Sequence, residues 1–346
     1  MESHNYRIDK LRTIAILGVL TNHIALCNYK LFPINDKGML FFYHYLQKLS
    51  LFAVPLFILI SGFLLLGKSY HYSFEKLYKQ KIPRFLLCLL IYGSAFAWIE
   101  LVFEQRGISI SQIPLALWNT IQGKTWDHMW YLYMYLGLLI FYPVLRTFFV
   151  HADLLEKKWV VLSGGIFCGF VLTSYIGITY PLVSIYPTMF ILGGVLREWY
   201  ECKDVNREKV RRYAGFGIFC CVALVLILTY CDEKYQLEYV EELLSAPKLI
   251  MCALAVLIFI SILFKKTNSK MYFTRIIQMI SKESFGIYIY HMFWINIIYK
   301  VFKINLFAYG FLASIALYIL VWIVVLLLSI VCTVITKKLP VLKKLI

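Results

Sequence analysis

Residues 213–231 read YAGFGIFCCVALVLILTYC, nineteen positions without a formal charge. A helix rises about 1.5 Å per residue, so such a run covers most of the roughly 30 Å hydrocarbon core of a bilayer. In that medium the backbone must satisfy its own hydrogen bonds, which a helix does internally. The stretch therefore predicts a membrane-spanning helix, and LYILVWIVVLLLSIVCTVI at 317–335 predicts another. Working outward from these two, apolar runs recur from end to end and give about ten spans. They are placed at 11–29, 49–66, 84–103, 128–149, 159–178, 181–197, 212–231, 246–264, 283–300 and 306–335. The runs at 49–66 and 181–197 are short and carry Pro55 and Pro187, a pattern tolerated where neighbours re-satisfy the freed backbone groups. The expected fold is an all-α polytopic membrane protein, a single transmembrane domain over 1–346 with no soluble extracellular domain appended.

Composition agrees. Of 346 residues 61% are hydrophobic and only 16% charged, with a mean hydropathy of +0.73. A soluble domain carries about a quarter charged residues. The net charge of +16 raises nucleic acid as a partner, but the cations sit in short clusters between apolar runs, which excludes that reading in favour of the positive-inside rule. With the N-terminus inside, 26 of the 35 Lys and Arg fall on the cytoplasmic side and 9 outside, which places both termini in the cytoplasm. The acidic DEKYQLEYVEE (232–242) then falls outside. The nine cysteines form no CxxC pair and lie mainly in apolar runs, so neither a disulfide framework nor a metal site is expected. The polar MESHNYRIDK start leads into a helix read as retained. The external ISQIPLALWNTI is read as a short interfacial helix, with Trp118 and Trp126 at headgroup level.

Ionisable side chains inside a bilayer are costly and each is a site hypothesis. Asp9 is placed to cap the first helix. Arg12 and His23 lie eleven residues apart, 1100° of rotation, and so share one helix face about 16 Å apart along the axis. Taken singly, Arg12 is also a snorkelling positive-inside arginine and His23 a satisfied structural histidine. Ser61-Gly62 serves either close helix packing or donor binding. Lys81 and Arg84, one turn apart in KIPR, can address one polyanion, although positive-inside charge alone also explains them. On the outer side, WDHMWYLYMY (126–135) offers Asp127, His128, Trp130 and Tyr131, with an aromatic belt as the plainer account of the rings. His291 lies in the middle to outer half of the ninth span. The polarity of this set suggests an anion entering from the cytoplasm and chemistry further out.

With these residues in view, the chain resembles the acyltransferase-3 family of bacterial membrane O-acyltransferases. The matching features are Arg12-x10-His23, FAVPLFILISGFLL (52–65), KIPR (81–84), HMWYLYMYLGLLIFYPVL (128–145), FILGGVL (190–196) and SFGIYIYH (284–291), in the family's order. The resemblance implies transfer of an acetyl or succinyl group from a coenzyme A thioester to a carbohydrate hydroxyl at a bacterial plasma membrane. It implies His23 as the essential histidine, Arg12 as its partner, and Lys81 and Arg84 where the family often has two arginines. Lysine at 81 keeps the charge but loses the bidentate fork. Acyl-CoA, most simply acetyl-CoA, is then a substrate, with no permanently bound cofactor. Lys81, Arg84 and Ser61 are expected on the donor side. Asp127, His128, Trp130, Tyr131 and His291 are expected to bind the acceptor or relay protons. The expected partners are acyl-CoA, a glycan or lipid-linked glycan acceptor and the bilayer.

Two rivals stand beside this. An exporter of glycan or lipid-linked saccharide would show interrupted helices at corresponding places in two halves; the polar residues concentrate instead in spans one to four and nine. Another membrane acyltransferase superfamily also uses a buried histidine, but lacks this ordered set.

Overall fold

In the computed structural model, residues 6–67, 73–105, 110–167, 185–235, 249–265, 271–340 and 342–346 are described. Most of the described residues are helical and none lies in a strand. Among the described residues six helical stretches are long and apolar enough to cross a membrane: Tyr6–Leu31, Lys37–Leu65, Phe74–Glu104, Asp127–His151, Arg207–Tyr235 and Phe311–Lys338. Leu249–Leu263 is apolar but shorter. The chain is a multi-pass membrane protein. The second part of the span read at 159–178, the start of that at 181–197 and the acidic stretch beyond Tyr235 lie outside the described residues.

The chain forms two compact units, one of Met1–Tyr70 with Ala152–Val331, the other of His71–His151 with Cys332–Ile346. The first holds α1 (Tyr6–Leu31), α2 (Lys37–Ser50) and α3 (Ala53–Leu65). In the second, a π-helical turn Leu77–Lys81 leads into α4 (Ile82–Gln105), followed by α5 (Ile113–Ile121) and α6 (Trp130–His151). The first resumes with α7 (Leu154–Ile166), α8 (Ile185–Glu201), α9 (Arg207–Tyr235), α10 (Leu249–Leu263), α11 (Met271–Asn296) and most of α12 (Phe311–Lys338).

In the first unit α1 is central, packed on α2, α3, α10 and α11. It is buried along most of its length, so its polar residues need protein partners. The packing against α11 is parallel, since Thr13 meets Ile277, His23 meets His291 and Ile24 meets Tyr299. Helices α3 and α8 touch backbone to backbone. A Cβ on Gly62 would strike the carbonyl of Phe190, and one on Gly193 the carbonyl of Leu59. That close approach is the use the sequence foresaw for a glycine beside Ser61.

Two cations close helix ends. Arg197 Nη1 donates to Phe63 O at 3.3 Å and Arg7 Nη2 to Lys265 O at 3.1 Å, at the C-terminal ends of α3 and α10, where the helix dipole favours positive charge. Lys157 is buried and donates to both oxygens of Glu198 at 3.0 Å, pinning α7 to α8.

Three local readings are corrected. Asp9 does not cap α1, which starts a turn earlier at Tyr6; it is buried, with Oδ1 accepting from Ser281 Oγ at 2.8 Å. Residues 37–50, read as an external connection, form α2, capped by Asp36 and burying Met39, Tyr43, Gln47 and Ser50 at helical spacing. Trp126 is buried against protein and does not face outward: its indole stacks on Phe96 at 4.6 Å and donates to Glu100 at 2.7 Å. The short helix expected before it is present as α5, where Trp118 is exposed.

Candidate active site

α1 and α11 bring His23 and His291 together. Their ring centroids lie 5.1 Å apart with planes inclined at 51°. His291 is fully buried and His23 half-buried. His291 Nδ1 lies 2.7 Å from Tyr288 O. A carbonyl can only accept, so Nδ1 carries the hydrogen and the neutral ring keeps its lone pair on Nε2. Tyr288 also flanks the ring at 6.0 Å, and Phe285 stacks on Tyr288. Side-chain bonds along both helices hold the rings in register. Thr13 Oγ1 donates to Ile277 O at 3.0 Å and Tyr299 OH to Ile24 O at 3.1 Å. Leu306 N donates to Asn28 Oδ1 at 3.3 Å.

Arg12 lies on the same unbroken helix as His23, so their separation of about 16 Å stands. It is half-buried, and no hydrogen bond or ion pair joins it to another described residue. Ser61, on α3, is half-buried and turns its hydroxyl back to Phe57 O at 3.0 Å.

The other expected residues belong to the second unit. Lys81 ends the π-helical turn and is half-buried; Arg84 Nε donates to Leu345 O at 3.1 Å. Asp127 and His128 were read as an adjacent pair, but the 3₁₀ turn Asp127–Met129 sends them apart. Asp127 is exposed, whereas His128 is buried, 5.5 Å from Phe96 and 6.3 Å from Trp126. Trp130 is exposed and Tyr131 half-buried, the latter stacked on Tyr135 at 5.7 Å. Sequence reasoning missed Ser281 and the role of Tyr288. The first looks like any helix serine, and the second acts through its carbonyl, which no side chain announces.

Among the described residues the chain is helical and without strands, and two imidazoles meet inside the packing of α1 on α11. The family model described as an acyltransferase domain matches residues 5–337, so the chain belongs to the acyltransferase-3 family. No curated protein and no solved structure matches it.

Proposed function

We propose that the chain is a membrane O-acyltransferase of the bacterial plasma membrane. It moves an acyl group, most simply acetyl, from acyl-CoA to a hydroxyl of an envelope glycan or lipid-linked sugar. The observation that carries this is the contact of His23 with His291 within a chain of the acyltransferase-3 family. In the proposed reaction His23 takes the proton of the sugar hydroxyl, and the oxygen attacks the thioester carbonyl. The C–S bond breaks, and the proton passes to the thiolate, so CoA leaves as a thiol. His291, with its lone pair on Nε2, stands beside His23 as the second proton holder. A half-buried guanidinium without a carboxylate is poorly compensated in apolar surroundings, and a CoA phosphate would supply the missing charge at Arg12. Lys81 and Arg84 add further positive charge for the donor, and Ser61 is assigned beside it. Asp127, His128, Trp130 and Tyr131 are assigned to the acceptor side.

The test is transfer of radiolabelled acetyl-CoA to an envelope glycan fraction in proteoliposomes. His23→Ala at matched folding is expected to lower transfer by about 10²–10⁴-fold, the usual worth of a general base. Equal transfer by both chains would return His23 to a structural role. Glycan accumulating in the lumen without acyl transfer would favour an exporter.

A further inference from the structure

Helix α2 carries Phe41, His44 and Tyr45 on one face, and α9 carries Tyr230 and Glu233 on one face, each set within a helical turn. The two faces meet within the first unit. His44 Nδ1 pairs with Glu233 Oε1. Phe41 stacks on Tyr45 at 6.3 Å and 11°, and meets Tyr230 edge-on at 6.3 Å. Tyr29, from α1, sits edge-on to the His44 ring at 4.7 Å.

An ionised carboxylate only accepts, so the hydrogen between the pair belongs to His44 Nδ1. The remaining atoms, His44 Nε2 and Glu233 Oε2, have no other hydrogen bond among the described residues. The two side chains are 25% and 21% exposed, so a ligand can reach them. An aromatic belt at headgroup level accounts for Tyr230 alone, but not for two polar atoms held between rings.

We propose that this cluster is a subsite for the acceptor glycan, with Glu233 Oε2 accepting from one sugar hydroxyl, His44 Nε2 hydrogen-bonded to another, and the rings of Phe41, Tyr45 and Tyr230 covering an apolar sugar face. The carboxylate repels acidic sugars, so the ligand class is an uncharged saccharide. Tyr29 is six residues beyond His23, about 9 Å further along α1, which places the subsite outward of the imidazole pair on the proposed topology. The ligand assignment rests on the acyl-transfer reading above.

The test uses the full-length protein in proteoliposomes, with the glycan fraction titrated by hexose content. His44→Gln, Glu233→Gln and Tyr230→Ala are each compared with the native chain. Thioester cleavage without glycan, water replacing the sugar hydroxyl, reports the donor half alone. The subsite predicts KM for glycan raised about tenfold or more in each variant. It also predicts kcat, glycan-free cleavage and the melting temperature close to native. An unchanged KM overturns the subsite, as does a parallel fall in kcat, cleavage and melting, which would make the pair a clip between α2 and α9. If the variants match the native chain while His23→Ala is inactive, only the subsite fails. If the native chain neither cleaves nor transfers, the acyl-transfer reading fails and the subsite falls with it.

Discussion

The bond of His291 to the Tyr288 carbonyl is one that a smaller side chain can keep. Asparagine at 291 presents an amide N–H to the Tyr288 carbonyl and removes Nε2. If His23 and His291 act as a unit, His291→Asn lowers kcat more than it raises KM. The double variant His23→Ala/His291→Asn is then no slower than His23→Ala alone. Additive losses in that cycle would mean independent roles. Both histidines were legible in the sequence because each interrupts an apolar run, where an imidazole needs a reason. Their meeting was not, because no local periodicity relates residue 23 to residue 291. The opposite fates of Asp127 and His128 were equally hidden, since a 3₁₀ turn changes the angle between neighbours. His44 and Glu233 escaped notice because charges near the ends of apolar runs are cheap and carry no signal of their own.

At the scale of elements, apolar length located most of the helices and polar pattern misjudged their edges. α11 starts at Met271, twelve residues before the expected span, because Arg275, Lys282 and Glu283 disguise its first turns as loop. α2 was missed because its buried face is only four residues wide. The contact of α3 with α8 gives a sharp expectation. Gly62→Ala and Gly193→Ala each push a methyl into a backbone carbonyl that cannot step aside, and each is expected to destabilise by about 1–3 kcal/mol or more. Gly165→Ala, in α7 with nothing within 4 Å of the added carbon, is the control and is expected to be neutral or slightly stabilising. Thermal unfolding in detergent compares the three. The Lys157–Glu198 pair makes a second contrast. Glu198→Ala leaves a buried ammonium without its partner and is expected to lose about 3–5 kcal/mol in full burial, less here because Glu198 is 21% exposed. Replacing both residues with apolar ones of similar size is expected to lose less than Glu198→Ala alone.

Across the whole molecule, the direction of each packed pair can be set against the alternation of spans. α1 and α11 run parallel, as do α3 and α8, where Gly62 meets Phe190 and Gly67 meets Arg197. α9 and α10 run antiparallel, with Gly217 at Leu257 and Val225 packed with Met251. These directions are what the proposed alternation requires of the same pairs. We expect a membrane-impermeant maleimide to label the exposed Cys202 only from the cytoplasmic face of oriented vesicles, and a Lys124→Cys variant that also carries Cys202→Ser only from the opposite face. Labelling of both from one side would break the proposed alternation.

The parallel seam of α1 and α11 also governs when the protein can begin to work. A ribosome finishes α1 well before α11, so the first histidine waits in the bilayer while the helices between them are still being made. A message cut short before α11 yields a product that can insert but cannot assemble the pair. On the proposed reaction, truncated chains should therefore be harmless to the thioester pool, and competence should arrive in one step, with α11.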